Sequence, residues 1–384
     1  MRFDFVTATR IAFGSGRVVE AIPAAASLGR KALIVAGSTP ARLDSFVAGL
    51  QAERVACSLF SISGEPTIPG ILDGVRIARN AGCDLVIGFG GGSALDGAKA
   101  IAALLSNPGD PLDYLEVVGK GLPLTQACAP CICMPTTAGT GSEVTRNAVL
   151  ASPEHRVKVS LRSPGMLPRL AVVDPDLTHS VPPSVTASTG MDALCQLIEP
   201  FVSNAANPVT DAICRDGIRR AALWLRAAYE DGNNAQAREN MALASLFGGI
   251  ALTNAGLGVV HGLAAPLGGM IPVPHGVVCA RLLPIVMEAN LKALNARAKG
   301  SPAIPRYDEI ARLLTGRASA GAKEGLEWLH SMRAEFAVPR LADFGLTEKD
   351  LPGIAAKAQR SSSIKGNPVQ LTLEELTEIL GEAI

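Results

Sequence analysis

The residues of this 384-residue chain best suited to chemistry are four polar side chains set in apolar surroundings. From Asn240 to Ala280 there is no Asp, Glu, Lys or Arg, yet the segment carries His261 and His275. Upstream, GMDALCQLIEP reads as an apolar helix from Met191 on, with Asp192 and Gln196 one turn apart and Glu199 on the same side. A lone histidine on an apolar face is ordinarily a satisfied core residue. Two in one charge-free segment, with a carboxylate on an oily helix elsewhere, shift that balance. A bare buried carboxylate is costly, so it must be paired or bind a metal. Neutral imidazoles and one carboxylate are the donors that Zn²⁺ or Fe²⁺ would take.

The elements that must position these residues divide the chain in two. In the first half, KALIVAG, CDLVIGFG, CICMPTT and RLAVVDPDL are short apolar runs, with helix-like stretches such as Ile68 to Ala81 between them. Alternating strands and helices predict a parallel sheet covered on both faces. Beyond Pro183 the strand signals fade, and helical periodicity runs through Asp211 to Tyr229, Gln236 to Leu252, Tyr307 to Leu314 and Ala322 to Phe336. NARAKGSPAIPRYDEIARLL reads as a helix linker outside any site.

Two loops at strand ends suit a nucleotide. Gly90-Gly91-Gly92-Ser93 follows a strand and opens a helix, whose N-terminus offers free N–H groups and a positive dipole end. Ser93 is expected to cap that helix. The competing reading is a structural turn without a ligand. PTTAGTGSEVT (Pro135 to Thr145) also follows an apolar strand and concentrates small hydroxyl residues, which favours a ligand lying along the sheet edge.

Composition narrows the function classes. With 48% hydrophobic and 18% charged residues, the chain has material for a large core, and its length suits two or three domains. A net charge of +0 without basic blocks argues against nucleic acid or a membrane surface as partner, and 4% aromatics weakens base stacking. The charge-free segment is long enough to span a bilayer, but glycines and prolines break it, and buried helices explain it better. The N-terminus has no signal-peptide pattern, and eight cysteines without a framework spacing point to buried thiols in a reducing, cytoplasmic setting. Cys128, Cys131 and Cys133 form the densest group. CAPCICMP reads as a buried strand rather than a metal cluster, because no second pair of ligands follows.

GGGSALDGAK and PTTAGTGSEVT, in this order and spacing, resemble the signatures of the iron-containing (group III) alcohol dehydrogenase family, and the likeness runs from RIAFGSG to GNPVQLTLEELTEIL. The resemblance implies the dehydroquinate synthase-like fold: an α/β dinucleotide-binding domain over residues 1–182, an all-α metal-binding and substrate domain over 183–384, and an active site in the cleft between. It implies that Gly91, Gly92 and Ser93 hold the pyrophosphate and that Asp96 lies near the nicotinamide. Thr136, Thr137, Thr140 and Ser142 would line the adenine and ribose side, and Lys158 would reach a ribose, unless it is only a solvated strand residue. NAD-preferring members resemble one another in an Asp after the second strand. VAGSTPAR has Gly37 and Ser38 there, so Ser38, Thr39 and Arg42 are expected to accept the phosphate of NADP, with NAD as the alternative.

The family's metal motifs, G-x-D-A-L-x-H and H-G-x-x-H-P-L-G…P-H-G, map the ligands onto Asp192, His261 and His275, with Gln196 where the remaining histidine ligand would stand. Ala265 replaces a further pocket histidine, removing a candidate proton relay. Three outcomes are open for Fe²⁺ or Zn²⁺: Gln196 completes a weaker site, three ligands act with a water, or the metal is absent. The first two are favoured, since three ligands remain. The implied activity is hydride transfer between NAD(P)H and a small alcohol or carbonyl, catalysed by a homodimer. The alternatives are a metal-free reductase of the maleylacetate reductase type, a non-catalytic relative, and a dehydroquinate synthase-like lyase. The lyase needs basic residues around its pocket, and the charge-free segment offers none.

Overall fold

The computed structural model describes residues 2–37 and 43–384. By contacts the chain forms two compact units: Val6–Thr137 with Gly141–Ser180, and Val181–Ile384 with Ala138–Thr140 and residues 2–5.

The first unit is built on a six-stranded, fully parallel sheet. Its strands are β1 (Ile11–Phe13), β2 (Lys31–Ala36), β3 (Ala56–Ser61), β4 (Leu85–Gly90), β5 (Cys131–Pro135) and β8 (Leu170–Val173), in the order β1-β8-β5-β4-β2-β3. The central strands are continuous apolar runs because helices cover both faces: every residue of β4 and β5 is buried. An antiparallel hairpin, β6 (Asn147–Ser152) and β7 (Val157–Arg162), stands apart from the sheet. The helices are α1 (Ala21–Leu28), α2 (Asp44–Ala52), α3 (Ile68–Ala81), α4 (Gly92–Ser106) and the one-turn α5 (Pro111–Tyr114). Helix α3 has the predicted ends for a local reason. Thr67 caps its first turn by accepting from the Gly70 N–H, and Gly82 closes it in the left-handed conformation.

The expected strand at CAPCICMP is shorter than its apolar run. Strand β5 begins at Cys131, and Cys128 lies outside it. The Cys131 and Cys133 sulfurs are 3.8 Å apart within that buried strand.

The second unit is helical: α6 (Pro183–Val202), α7 (Pro208–Glu230), α8 (Ala235–Ala255), α9 (Val259–Met270), α10 (His275–Arg297), α11 (Ala303–Thr315), α12 (Ala322–Glu335), α13 (Leu351–Ala358) and α14 (Leu373–Ala383). The α/β plus all-α architecture is the fold class read from the sequence. Helix α6 is buried almost all round from Gly190 to Val202, which is why its polar residues stand out. Among the described residues no single helix is long and apolar enough to cross a membrane. The pair α8 and α9 passes that test together, but it bends by 100° at its break.

Candidate metal centre and nucleotide loops

Three helices bring the polar residues of the second unit together. Helix α6 carries Asp192, α9 carries His261 at its third position, and α10 begins at His275. Helices α6 and α10 pack closely because Gly276 lies against Ser188, where an added Cβ would come within 2.8 Å of the Ser188 carbonyl oxygen. Asp192 Oδ1 then lies 3.4 Å from His261 Nε2 and 3.8 Å from His275 Nε2. The three expected ligands therefore meet at one point, and the sulfur of Cys279 joins them, with all four donor atoms within 4.8 Å of one another.

The site has the marks of a cation site. Asp192 is 1% exposed, and its Oδ1 has no hydrogen-bond partner. A buried carboxylate oxygen in that state is costly unless a cation meets it. Burial opposes the charge on Asp192, but the His275 and His261 imidazoles outweigh it and hold its pKa below the ordinary carboxylate value. Burial likewise opposes charge on His261, and Cys279, Glu199 and Asp192 overcome it, raising its pKa well above the usual imidazole value. Burial and the Asp192 charge push the Cys279 thiol well up. A carboxylate and two imidazoles around an orphaned buried oxygen fit a divalent metal.

Glu199 sets the orientation of His261. Its Oε2 is 2.7 Å from His261 Nδ1, and its Oε1 accepts the Val260 N–H at 2.7 Å. Asn367 accepts from the Val259 N–H at 3.3 Å. Two side chains from distant segments thus cap α9, whose own N-cap, Gly258, offers none. With Nδ1–H donating to Glu199, Nε2 is the nitrogen that faces Asp192 and Cys279, and a cation that displaces its proton would meet its lone pair.

Gln196 lies one turn after Asp192, 2% exposed, and its Oε1 is also buried without a hydrogen-bond partner. It packs against Gly248 of α8. Ala265 sits in the middle of α9 and presents only a methyl group.

In the first unit, the glycine turn lies where the strand order reverses, between β2 and β4. Gly90 sits tightly against Gly37 at the end of β2 and against Ala94, and an added Cβ would come within 2.7 Å of the Ala94 Cβ. Ser93 is not the cap expected from the sequence. Gly91 holds that position, no side chain caps the helix, and Ser93 falls within its first turn. The glycines bring the chain into the helix two residues earlier, which leaves its N-terminus without a side-chain cap and open to an anion. Thr136 and Thr137 join this turn: the Thr136 N–H donates to the Gly90 carbonyl at 2.9 Å, and Thr137 lies beside Gly91.

Asp96 and Ser142 are brought together as well. The Ser142 hydroxyl donates to Asp96 Oδ1 at 2.5 Å, and Asp96 Oδ2 accepts the Val149 N–H at 2.9 Å. Thr140 falls in the short stretch that packs with the helical unit, where Gly139 abuts Thr189. Lys158 is buried on β7, and its ammonium pairs with Glu65 at 2.8 Å. Ser38, Thr39 and Arg42 lie outside the described residues.

Sequence reasoning missed Cys279, the role of Glu199, and Lys99. The ammonium of Lys99 is wholly buried, pairs with Asp96 at 3.1 Å, and donates to Ser142 O at 2.9 Å, Thr145 Oγ1 at 2.7 Å and the Asn147 carbonyl. It ties the hydroxyl-rich loop to α4. The signal was a single cation in the Ala-rich stretch GAKAIAALL.

Comparisons with known proteins agree with this layout. Residues 8–175 match the family model described as iron-containing alcohol dehydrogenase, and residues 186–384 match that of the Fe-containing alcohol dehydrogenase family, C-terminal. Alcohol dehydrogenase 4 of Saccharomyces cerevisiae is 38% identical over 319 residues, covering 83% of this chain and 80% of its own. The 1,3-propanediol dehydrogenase of Klebsiella pneumoniae is 35% identical over 367 residues, covering 92% of each. A crystal structure of a 1,3-propanediol oxidoreductase superposes with a TM-score of 0.92 at 33% identity over 100% of both chains. The chain belongs to the iron-containing alcohol dehydrogenase family, and it is an oxidoreductase acting on CH–OH groups, of a family that implies NAD(P) and a divalent metal.

Proposed function

We propose that the protein reduces a small aldehyde or ketone with NADPH or NADH, and runs the reverse oxidation, at a metal held by Asp192, His261 and His275 with Gln196 beside them. The observation that carries this reading is the buried, unpartnered Asp192 Oδ1 with two imidazole nitrogens beside it. When bound, the metal supplies Lewis-acid polarisation of the carbonyl oxygen.

The chain's own residues do the rest. Glu199 holds the proton on His261 Nδ1 and keeps Nε2 turned toward Asp192. The apolar packing of α6, α9 and α10 buries Asp192 and His261, while His275 stays partly exposed. Gly91, Gly92 and Ser93 receive the pyrophosphate on the uncapped end of α4, next to Thr136 and Thr137. Asp96 and Ser142, clamped through Lys99, hold the second loop in place, and Thr140 and Lys158 complete the proposed cofactor contacts. Ala265 holds no proton, so solvent or a cofactor ribose hydroxyl supplies the one that the product alcohol needs. The absence of an acid at Gly37 and Ser38 favours NADP. Eight free thiols favour the cytoplasm, and the family resemblance suggests a homodimer.

The rival metal-free reductase draws on Gln196. It leaves the buried Asp192 oxygen with imidazoles at 3.4 Å and 3.8 Å but no hydrogen bond, which weighs against it. The test is oxidation of NADPH and NADH against a panel of small aldehydes and ketones, with chelated and metal-loaded protein. The reading expects turnover that needs metal, with NADPH preferred. No turnover of any carbonyl by fully loaded protein would refute it.

A further inference from the structure

We infer that the Cys279 thiolate is a protein ligand of the metal, taking the place that Gln196 leaves weak. The inference rests on the metal-site reading above and deepens it. Cys279 lies one turn after His275 on α10, as Gln196 lies one turn after Asp192 on α6, so each helix offers an i, i+4 pair. The Cys279 sulfur is 3.8 Å from His261 Nε2 and 3.6 Å from His275 Nε2. Metal–nitrogen and metal–oxygen bonds of about 2.1 Å and a metal–sulfur bond of about 2.3 Å set the edges of a tetrahedral site. Nitrogen and oxygen donors then stand about 3.4 Å apart, and nitrogen and sulfur about 3.6 Å. The Asp192-to-imidazole distances of 3.4 Å and 3.8 Å and the two sulfur distances match those edges.

Chemistry separates the two candidates. The carboxamide of Gln196 is neutral and a weak donor, whereas a thiolate is an anion. Asp192 and Cys279 together balance a divalent charge in a site where both residues are buried. Binding releases the thiol proton to solvent as the metal–sulfur bond forms. A sulfur donor also changes which metal is held: thiolate with imidazole selects zinc over iron.

The other sulfur nearby is distinguishable. Cys195 faces His261 Nδ1 at 3.9 Å, the ring nitrogen that Glu199 also meets, and not Nε2.

The experiment is an anaerobic titration of metal-stripped protein with Co²⁺, read by absorption and by equilibrium dialysis. The expected result is one ion per chain, with a near-ultraviolet thiolate-to-cobalt charge-transfer band and the intense visible bands of a tetrahedral ion. The charge-transfer band disappears in Cys279→Ser and persists in Cys195→Ser and Gln196→Ala. Zn²⁺ affinity falls at least about tenfold in Cys279→Ser. Wild-type protein that binds Co²⁺ without the band overturns thiolate ligation and leaves the metal site standing. A band that survives in Cys279→Ser also overturns it. Wild-type protein that binds no Co²⁺ overturns the metal reading as well. The wild-type spectrum decides the matter even if a variant folds poorly.

Discussion

Glu199 Oε2 lies 2.7 Å from His261 Nδ1, and that contact settles which imidazole nitrogen faces Asp192. The same carboxylate caps α9 through the Val260 N–H, so helix position and ring orientation share one support. Glu199→Gln keeps the size and removes the charge. Metal affinity is expected to fall about 10–100-fold, the usual range for the partner of a ligating histidine. Competition against a chelating dye measures it, and an unchanged affinity would show that the contact does not tune the ligand.

The buried ammonium of Lys99 pairs with Asp96 at 3.1 Å, and the Ser142 hydroxyl of the hydroxyl-rich loop donates to the same carboxylate. Lys99→Met leaves that carboxylate uncompensated and removes donors to Ser142 O and Thr145 Oγ1. A loss of about 3–5 kcal/mol in unfolding free energy is expected. Weaker dinucleotide binding should accompany it, because the loop beside Gly91 loses its anchor. Urea denaturation and fluorescence titration with NADPH test the two effects separately.

Glu143 gives a pH signature in the first unit. Burial raises its pKa to about 7, the Lys99 charge only partly opposing this, and its Oε2 is buried without a hydrogen-bond partner. The folded state therefore holds a proton that the unfolded chain loses above its ordinary carboxylate pKa. The stability this group contributes is full below that unfolded value and is lost as pH rises through about 7. Glu143→Gln stays neutral at every pH. Its stability relative to the natural chain should rise by about 2–3 kcal/mol between pH 5 and pH 8. Equal differences at the two pH values would contradict the assignment.

Much of this was legible in the sequence because the signals were strong ones. Continuous apolar runs ending in glycine gave the parallel strands, and the charge-free segment isolated His261 and His275 as the polar groups of a buried region. The remainder depended on tertiary approach. Cys279 reads as a small hydrophobe until α10 is set beside α9. Glu199 lay visibly on the face of Asp192 and Gln196, but its partners sit more than sixty residues away. Ser93 was read as a helix cap because serine favours that position, and Gly91 takes it two residues earlier through a glycine turn that local preference does not encode. The division at Ala138–Thr140, which sends three residues of one motif to the helical unit, reflects packing against α6 and has no sequence mark.

The central claim is that Asp192, His261 and His275 hold one divalent metal on which hydride transfer depends. Its most direct test is reconstitution: protein stripped of metal, then titrated anaerobically with Zn²⁺ or Fe²⁺, with bound metal and NADPH-dependent aldehyde reduction measured at each point. The account predicts activity that rises in proportion to bound metal and levels off at one ion per chain. Full activity in the metal-free protein would contradict it.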